Sequence, residues 1–512
     1  MTPSKDHVVV IGAGFGGLTS SALMAQQGAR VTLLEKHTQT GGRARTWESD
    51  GFMFDLGPSW YWMPDVFEAY YNLFGKTTAD FYNLVRLDPG YRVWFGKDDF
   101  MDIPAGQPEL EALFESVEPG SGLKLRKFLD QAAYKYQVGM QDYVFRPSHS
   151  ITEFIDIRML MESFRIQMFR SMAGHVKEFV KNPRLVSILE FPVLFLGATP
   201  KNIPALYSMM NYADLRLGTW YPMGGMHKIS EAMTTIAREQ GVRFELGTEV
   251  SKIEVNAGKA HRLHTNKGAF EADWVVANAD YHHTDQHLLD PQWRTYNESY
   301  WENRVMSPSS LLFYLGIKGK VDNLKHHNLF FDEDFYQHAK EIYETPQWPT
   351  KPLFYVCCPS KTDPSVAPEG DENLFILAPL APGLKDDPET REKYYQLIME
   401  RLERLTGQTI RGREVVKRSY AMDDFVSDYH AYKGNAYGLA NTLLQTAFFK
   451  PKMRAKKVSN LYFTGQLTVP GPGVPPSIIS GRVVAAEVLK EMGIKFPNQI
   501  ASGKVIEPVI QK

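Results

Sequence analysis

Two kinds of apolar pattern alternate along this chain. Short β-branched runs bounded by glycine predict buried strands at residues 7–12, 29–36, 242–263, 274–279 and 461–464. Between the first two, residues 17–28 are rich in Ala, Ser, Leu and Met and predict a helix. The chain therefore opens with a strand–helix–strand unit of the size a parallel crossover requires. Residues 37–58 read as loops and short strands. From about 60 to 220 the pattern turns helical, aromatic and Met-rich, with few strand signals. Within it, 151–181 carries apolar groups at helical spacing with basic residues between them. Residues 218–226 read as a loop leading into a helix that ends at Glu239. Residues 310–380 alternate like strands, 387–405 form an amphipathic helix opened by Asp-Pro, and a Gly/Pro-dense loop after 464 leads into a helix over 477–492. Residues 497–512 read as a loose tail. No internal repeat is present.

The first strand runs into Gly12-Ala13-Gly14-Phe15-Gly16-Gly17, which fits G-x-G-x-x-G. The first glycine permits the tight turn and the second lets a pyrophosphate approach the backbone. The third lets helix and strand pack closely, while the helix N-terminus presents free N–H groups to the anion. Glu35 closes the second strand, where a carboxylate accepts hydrogen bonds from a ribose diol and repels a 2′-phosphate. This fingerprint does not separate FAD from NAD. A second loop, Gly41-Gly42-Arg43-Ala44-Arg45, adds close backbone approach and two guanidinium groups for a diphosphate, and a plain NAD dehydrogenase needs no such loop.

At 512 residues the chain is too long for one core, and its net charge of -2 lacks the basic surface of a nucleic-acid binder. The two cysteines, Cys357 and Cys358, are adjacent. A bridge between neighbours is strained, so they read as packed thiols in a reducing cytoplasm. No zinc spacing exists and no metal is expected. The N-terminus has no signal-peptide cleavage pattern, and no run of eighteen uncharged apolar residues predicts a membrane span. The chain carries 30 Phe, 25 Tyr, 20 Met and 9 Trp, suited to a long apolar ligand; Trp60, Trp62 and Trp220 are candidate tunnel residues.

The glycine fingerprint with its Gly-Gly-Arg loop resembles the flavin amine oxidase and phytoene desaturase superfamily. Several further blocks are similar to bacterial carotenoid desaturases. They are Phe54-Asp55-Leu56-Gly57-Pro58-Ser59, Trp220-Tyr221-Pro222-Met223-Gly224-Gly225-Met226, Val275–Asp280, the stretch 355–370, and the loop Pro470-Gly471-Pro472-Gly473-Val474-Pro475-Pro476. Trp60-Tyr61-Trp62-Met63-Pro64 resembles phytoene desaturases of the Bacteroidetes type. The resemblance covers nearly the whole chain.

The resemblance implies an α/β fold: a Rossmann-like FAD-binding domain built from discontinuous segments, a mixed-sheet substrate domain and a helical membrane-docking domain. On this chain the FAD segments fall at 1–80, 221–300 and 446–496. The helical region spans 81–220, the substrate domain 301–445 and the tail 497–512. Expected FAD contacts are Gly12, Gly14, Phe15, Gly16, Gly17, Glu35, Lys36, Gly42, Arg43, Arg45, Gly57, Pro58, Ser59, Val250, Asn278, Gly465, Gly473, Val474 and Pro475. The family often has an acidic residue after Gly465; this chain has Gln466, so only the backbone role carries over there.

The implied activity is FAD-dependent desaturation of a long carotenoid such as phytoene. A hydride passes to the flavin, a proton is lost, and quinone or oxygen takes the electrons. No catalytic acid–base pair stands out. His227 is a candidate proton acceptor. The implied location is cytoplasmic, peripheral on the inner face of the cell membrane. Met159, Leu160, Phe164, Met168, Phe169 and Met172 would face lipid there, and Arg158, Arg165, Arg170 and Lys177 would meet headgroups. Readings left open are an amine or protoporphyrinogen oxidase, a desaturase of a hydroxylated or cyclic carotenoid, a redox-neutral carotene isomerase, and a non-catalytic prenyl-binding protein on the same fold.

Overall fold

A computed structural model describes residues 6–148 and 166–495. The expected membrane-facing stretch 151–165, with Arg158, Met159, Leu160, Phe164 and Arg165, lies outside the described residues, as does the tail from 496.

The opening unit forms as the pattern predicts. Strand β1 (His7–Ile11) and strand β2 (Arg30–Glu35) pair in parallel, joined by helix α1 (Phe15–Gln26). Both strands are buried on both faces, which explains their continuous Val/Leu runs. Helix α1 begins two residues earlier than its apolar pattern indicated, because Gly14 at the N-cap turns directly into it. The sheet is completed by strands far away in sequence. Its order is Leu461–Phe463, Trp274–Ala277, β1, β2, Arg243–Leu246, all parallel. One Rossmann-like sheet is thus assembled from separated segments.

The C-terminal helix Val474–Glu491 packs on α1 at glycine contacts. A Cβ on Gly481 would stand 2.5 Å from the carbonyl oxygen of Gly16. This helix starts three residues ahead of the expected 477, because Pro475 and Pro476 sit in its first turn, where a missing N–H costs nothing.

A seven-stranded mixed sheet covers the other side. Its order is Glu414–Tyr420, Ser309–Ile317, Glu372–Leu380, Phe354–Cys357, His327–Phe330, Tyr91–Gly96, Asp99–Ile103. The last two correct the sequence reading. Strands at 91–103 lie inside the stretch that reads as helical, because their alternation is hidden among aromatic residues. Trp220–Pro222, read as loop, is a short strand on Leu84–Arg86. Among the helices, Ser121–Val138 and Met209–Leu215 pack against each other, and Pro183–Glu190 is tied to the latter by Asn211, whose Nδ2 donates to the Leu189 carbonyl at 3.0 Å. Where 166–181 is described, it forms turns and the short helix Met172–Val176.

Candidate functional site

One cavity of about 510 Å³ runs from the glycine fingerprint to the face between the seven-stranded sheet and the helices. Of the expected cofactor residues, Gly12, Gly14, Phe15, Gly16, Glu35, Lys36, Gly42, Arg43, Gly57, Pro58, Ser59, Val250, Asn278, Gly465, Gly473, Val474 and Pro475 all line it.

Gly17 and Arg45 are not among the lining residues. A Cβ on Gly17 would stand 2.0 Å from the Gly12 carbonyl oxygen, so this glycine serves helix–strand packing. Arg45 turns away to pair with Asp428 at 2.8 Å, leaving Arg43 as the guanidinium of this loop that lines the cavity.

The dinucleotide end is a cradle of backbone. Gly14 supplies no side-chain cap to α1, so the first-turn N–H groups are free for an anion. Asn278 clasps the glycine loops together. Its Nδ2 donates to the Gly12 carbonyl at 3.2 Å, and a Cβ on Gly14, Gly16 or Gly465 would stand 2.9, 2.6 or 3.0 Å from its carboxamide. Glu35 is buried, and its carboxylate accepts from the backbone N–H of Ala13 at 2.7 Å and of His37 at 2.9 Å. It therefore fixes the turn that holds the cradle.

Arg43 is buried with its guanidinium carbon 4.8 Å from the Tyr429 ring centre, and its Nε has no hydrogen-bond partner among the described residues. Burial pulls its pKa down, opposed by Tyr429 and Asp280. Burial likewise pushes the Asp280 carboxyl up to about 6, against the pull of Arg43 and nearby N–H groups. A desolvated cation with an unused donor beside a glycine cradle fits a diphosphate-bearing cofactor. Tyr429, His283 and Thr248 were missed by sequence reasoning because none carries a local motif: Tyr429 ends the helix Met422–Tyr429, His283 ends the short helix Tyr281–His283, and Thr248 lies in a loop, while Asp280 closes the family-like block Val275–Asp280 without having been named as a contact. With its carboxamide turned to satisfy both ends, Gln466 accepts from Arg43 Nη2 at 3.1 Å, a side-chain contact the family pattern did not supply.

A flavin containing amine oxidoreductase model matches residues 15–489. The chain belongs to this family. As a member of the flavin containing amine oxidoreductases it takes FAD, and the cradle, Glu35 and Arg43 fit that cofactor. It is 39% identical over 491 residues to a carotenoid 3,4-desaturase of Haloarcula japonica, covering 96% of this chain and 99% of that one. It is 33% identical over 514 residues to a zeta-carotene-forming phytoene desaturase of Myxococcus xanthus, covering 98% of each. Among solved structures, a cofactor-binding redesign of putrescine oxidase aligns with a TM-score of 0.63 at 14% identity, over 95% of this chain and 99% of that one; this shows the shared fold.

Away from the cradle the flavoprotein's cavity is apolar. Trp60, Trp62, Met140, Met168, Met209 and Met210 line it, as do Leu312, Phe375 and Leu377 from the seven-stranded sheet. Trp62 is held by its Nε1, which donates to Thr219 Oγ1 at 2.9 Å; Thr219 Oγ1 in turn donates to Asp214 at 3.2 Å. Trp60 stacks on His327 with ring centres 4.2 Å apart. Trp220 does not line the cavity: its Nε1 donates to the Leu217 carbonyl at 2.8 Å.

His227 also lies outside the lining. It starts the helix His227–Glu239, and Asp55 accepts from the N–H groups of Met226 and His227. His227 is thus a helix-end residue and its role as proton acceptor is withdrawn. Cys357 and Cys358 are buried and free. Cys357 comes within 4.8 Å of ligand atoms of His326 and His327. Their Nδ1 atoms are engaged by Thr362 Oγ1 at 2.8 Å and Tyr355 Oη at 2.6 Å, while neither Nε2 has a hydrogen-bond partner among the described residues.

Two lipid-facing expectations change. Met172 is fully buried and Met168 lines the cavity, whereas Phe169 is 65% exposed and Lys177 is exposed. Among the described residues no helix is long and apolar enough to cross a membrane.

Proposed function

We propose that this flavoprotein desaturates a long carotenoid. The observation that carries the reading is one cavity joining the flavin cradle to an aromatic and Met-lined apolar tunnel, in a chain whose relatives are named as carotenoid and phytoene desaturases. Bound FAD supplies the hydride acceptor for a C–H bond. The residues of this chain do the rest by position. Trp60, Trp62, Phe375 and the methionines bury a polyene that offers almost no hydrogen-bonding atoms, and they exclude water from the reacting bond. Gly473, Val474 and Pro475 form the start of the C-terminal helix, whose positive end favours negative charge on the cofactor. The prolines there leave few donors, so the helix contributes mainly its dipole.

The expected cofactor contacts, the three-part domain organisation and the final acceptor, quinone or oxygen, belong to this proposal. So does docking at the cytoplasmic face of the cell membrane. Phe169, Leu444 and Phe449 are 65%, 70% and 43% exposed. They flank the cavity-lining Met168, Thr446 and Ala447 in sequence. The two segments meet across residues 204–207: Ala205 N–H donates to the Arg170 carbonyl, and Tyr207 Oη lies 3.1 Å from Thr446 Oγ1. An apolar rim at this end of the cavity supports entry of substrate from a lipid surface.

The test is anaerobic incubation of FAD-loaded protein with phytoene in liposomes, followed by chromatography. Products with longer conjugation sustain the proposal. Recovery of unchanged phytoene and of unchanged later carotenoids would overturn it.

A further inference from the structure

Two histidines and a cysteine converge beside Trp60. The strands His327–Phe330 and Phe354–Cys357 pair antiparallel in a register that sets Cys357 opposite His327, with His326 just ahead of it. One ring nitrogen of each histidine and the Cys357 sulfur lie within 4.8 Å of one another. All three side chains are buried: His326 is 5% exposed, Cys357 2% and His327 0%. Strand pairing assembles the set, so no local zinc spacing announces it. The hydrogen bonds leave ligand positions free. Tyr355 Oη donates to Ser59 Oγ at 3.1 Å, so at 2.6 Å it accepts from His327 Nδ1–H. Thr362 Oγ1 holds His326 Nδ1 at 2.8 Å. An imidazole whose Nδ1–H is given to an oxygen carries its lone pair on Nε2, and both Nε2 atoms lack a hydrogen-bond partner among the described residues. Cys357 also lines a small cavity of about 20 Å³, together with Asp55, Ser59 and Tyr221, which has room for one water.

Two buried nitrogen lone pairs left unpaired cost free energy. A water could donate to them, but it makes no use of the sulfur that stands with them. A borderline cation takes all three donors at once. Neutral imidazole and thiolate are the ligands zinc prefers, whereas magnesium and calcium seek oxygen. We propose that His326, His327 and Cys357 bind one zinc ion, with a water in the small cavity as its fourth ligand. Burial pulls both imidazoles down, His326 to about 3, which keeps them in the neutral form a metal takes. Burial pushes the Cys357 thiol up, so it holds its proton until the zinc–sulfur bond forms and that proton leaves to solvent. The ion cross-links the two strands and fixes His327, whose ring centre lies 4.2 Å from that of the cavity-lining Trp60. It is a clamp on the wall of the apolar cavity and takes no part in the redox step, so it stands or falls independently of the desaturase reading.

The test expresses the FAD-loaded protein in zinc-supplemented medium, so that the buried site fills during folding. Loosely held metal is then stripped with a chelator and the zinc that remains is counted by mass spectrometry. Wild type is expected to retain about one zinc per chain. Cys358→Ala should retain it too, since Cys358 packs in a different apolar cluster from Cys357. Cys357→Ala and His327→Gln should each lower retained zinc by about tenfold or more, the former at unchanged flavin content. X-ray absorption at the zinc edge needs no variant, and on wild type it should show one sulfur at about 2.3 Å and nitrogens at about 2.0–2.1 Å. Wild type without retained zinc, zinc retention unchanged in Cys357→Ala, or a zinc shell that contains no sulfur would each overturn the site.

Discussion

Glu35 shows what a single residue can and cannot disclose. Its position after a strand and a glycine fingerprint marks it in the sequence as an expected ribose carboxylate, and the structure places it in the lining of the cavity. That both its oxygens also anchor backbone N–H groups of Ala13 and His37 was not legible, because those bonds depend on the folded turn. The same holds for Asn278, whose clasp on two glycine segments joins residues more than 180 positions apart. Glu35→Ala removes both anchors, and FAD affinity is expected to fall at least tenfold in a flavin-fluorescence titration. Gly17→Ala is expected to lower flavin content on purification by a similar factor, since its Cβ has no room against Gly12 and must push α1 off β1. Retention of wild-type flavin content by Gly17→Ala would contradict this packing role.

Among elements, strands with continuous β-branched runs and helices with glycine or proline punctuation were readable. Tyr91–Gly96 and Asp99–Ile103 were not, because their neighbours in sequence are helical and the strand that joins this hairpin to the sheet, His327–Phe330 on Tyr91–Gly96, lies over two hundred residues away. These strands are tied to the helical layer through Asp214, which accepts from Tyr91 Oη at 2.9 Å and from Thr219. Burial pushes the Asp214 carboxyl up to about 7. Its folded pKa then exceeds its unfolded value near 3.8, so its contribution to stability is fully present below that value and is lost as pH rises through about 7. Denaturant unfolding between pH 4 and 7 should therefore show a falling contribution of up to about 1.4 kcal/mol per pH unit, which Asp214→Asn removes. An unchanged pH slope in that variant would rule out Asp214 as its source. At the apolar rim, replacing Phe169, Leu444 and Phe449 together by serine should cut co-sedimentation with liposomes several-fold at unchanged flavin content. Undiminished co-sedimentation would place the docking surface elsewhere.

For the whole molecule, the discontinuous flavin sheet was legible because each of its segments carries its own glycine or strand signature. The cavity was not, because its walls come from both sheets and from helical segments, and no local pattern states which aromatic residues converge. Trp60 and Trp62 line it while Trp220, equally aromatic and equally close to a family-like motif, does not. The account makes the cavity a single path on which polyene and flavin meet. Its most direct test is an anaerobic titration of the FAD-loaded protein with carotenoid in liposomes, following the oxidised flavin bands and the polyene spectrum together. The account predicts one flavin bleached for each double bond formed. Rearranged polyene isomers with the flavin still oxidised would contradict it.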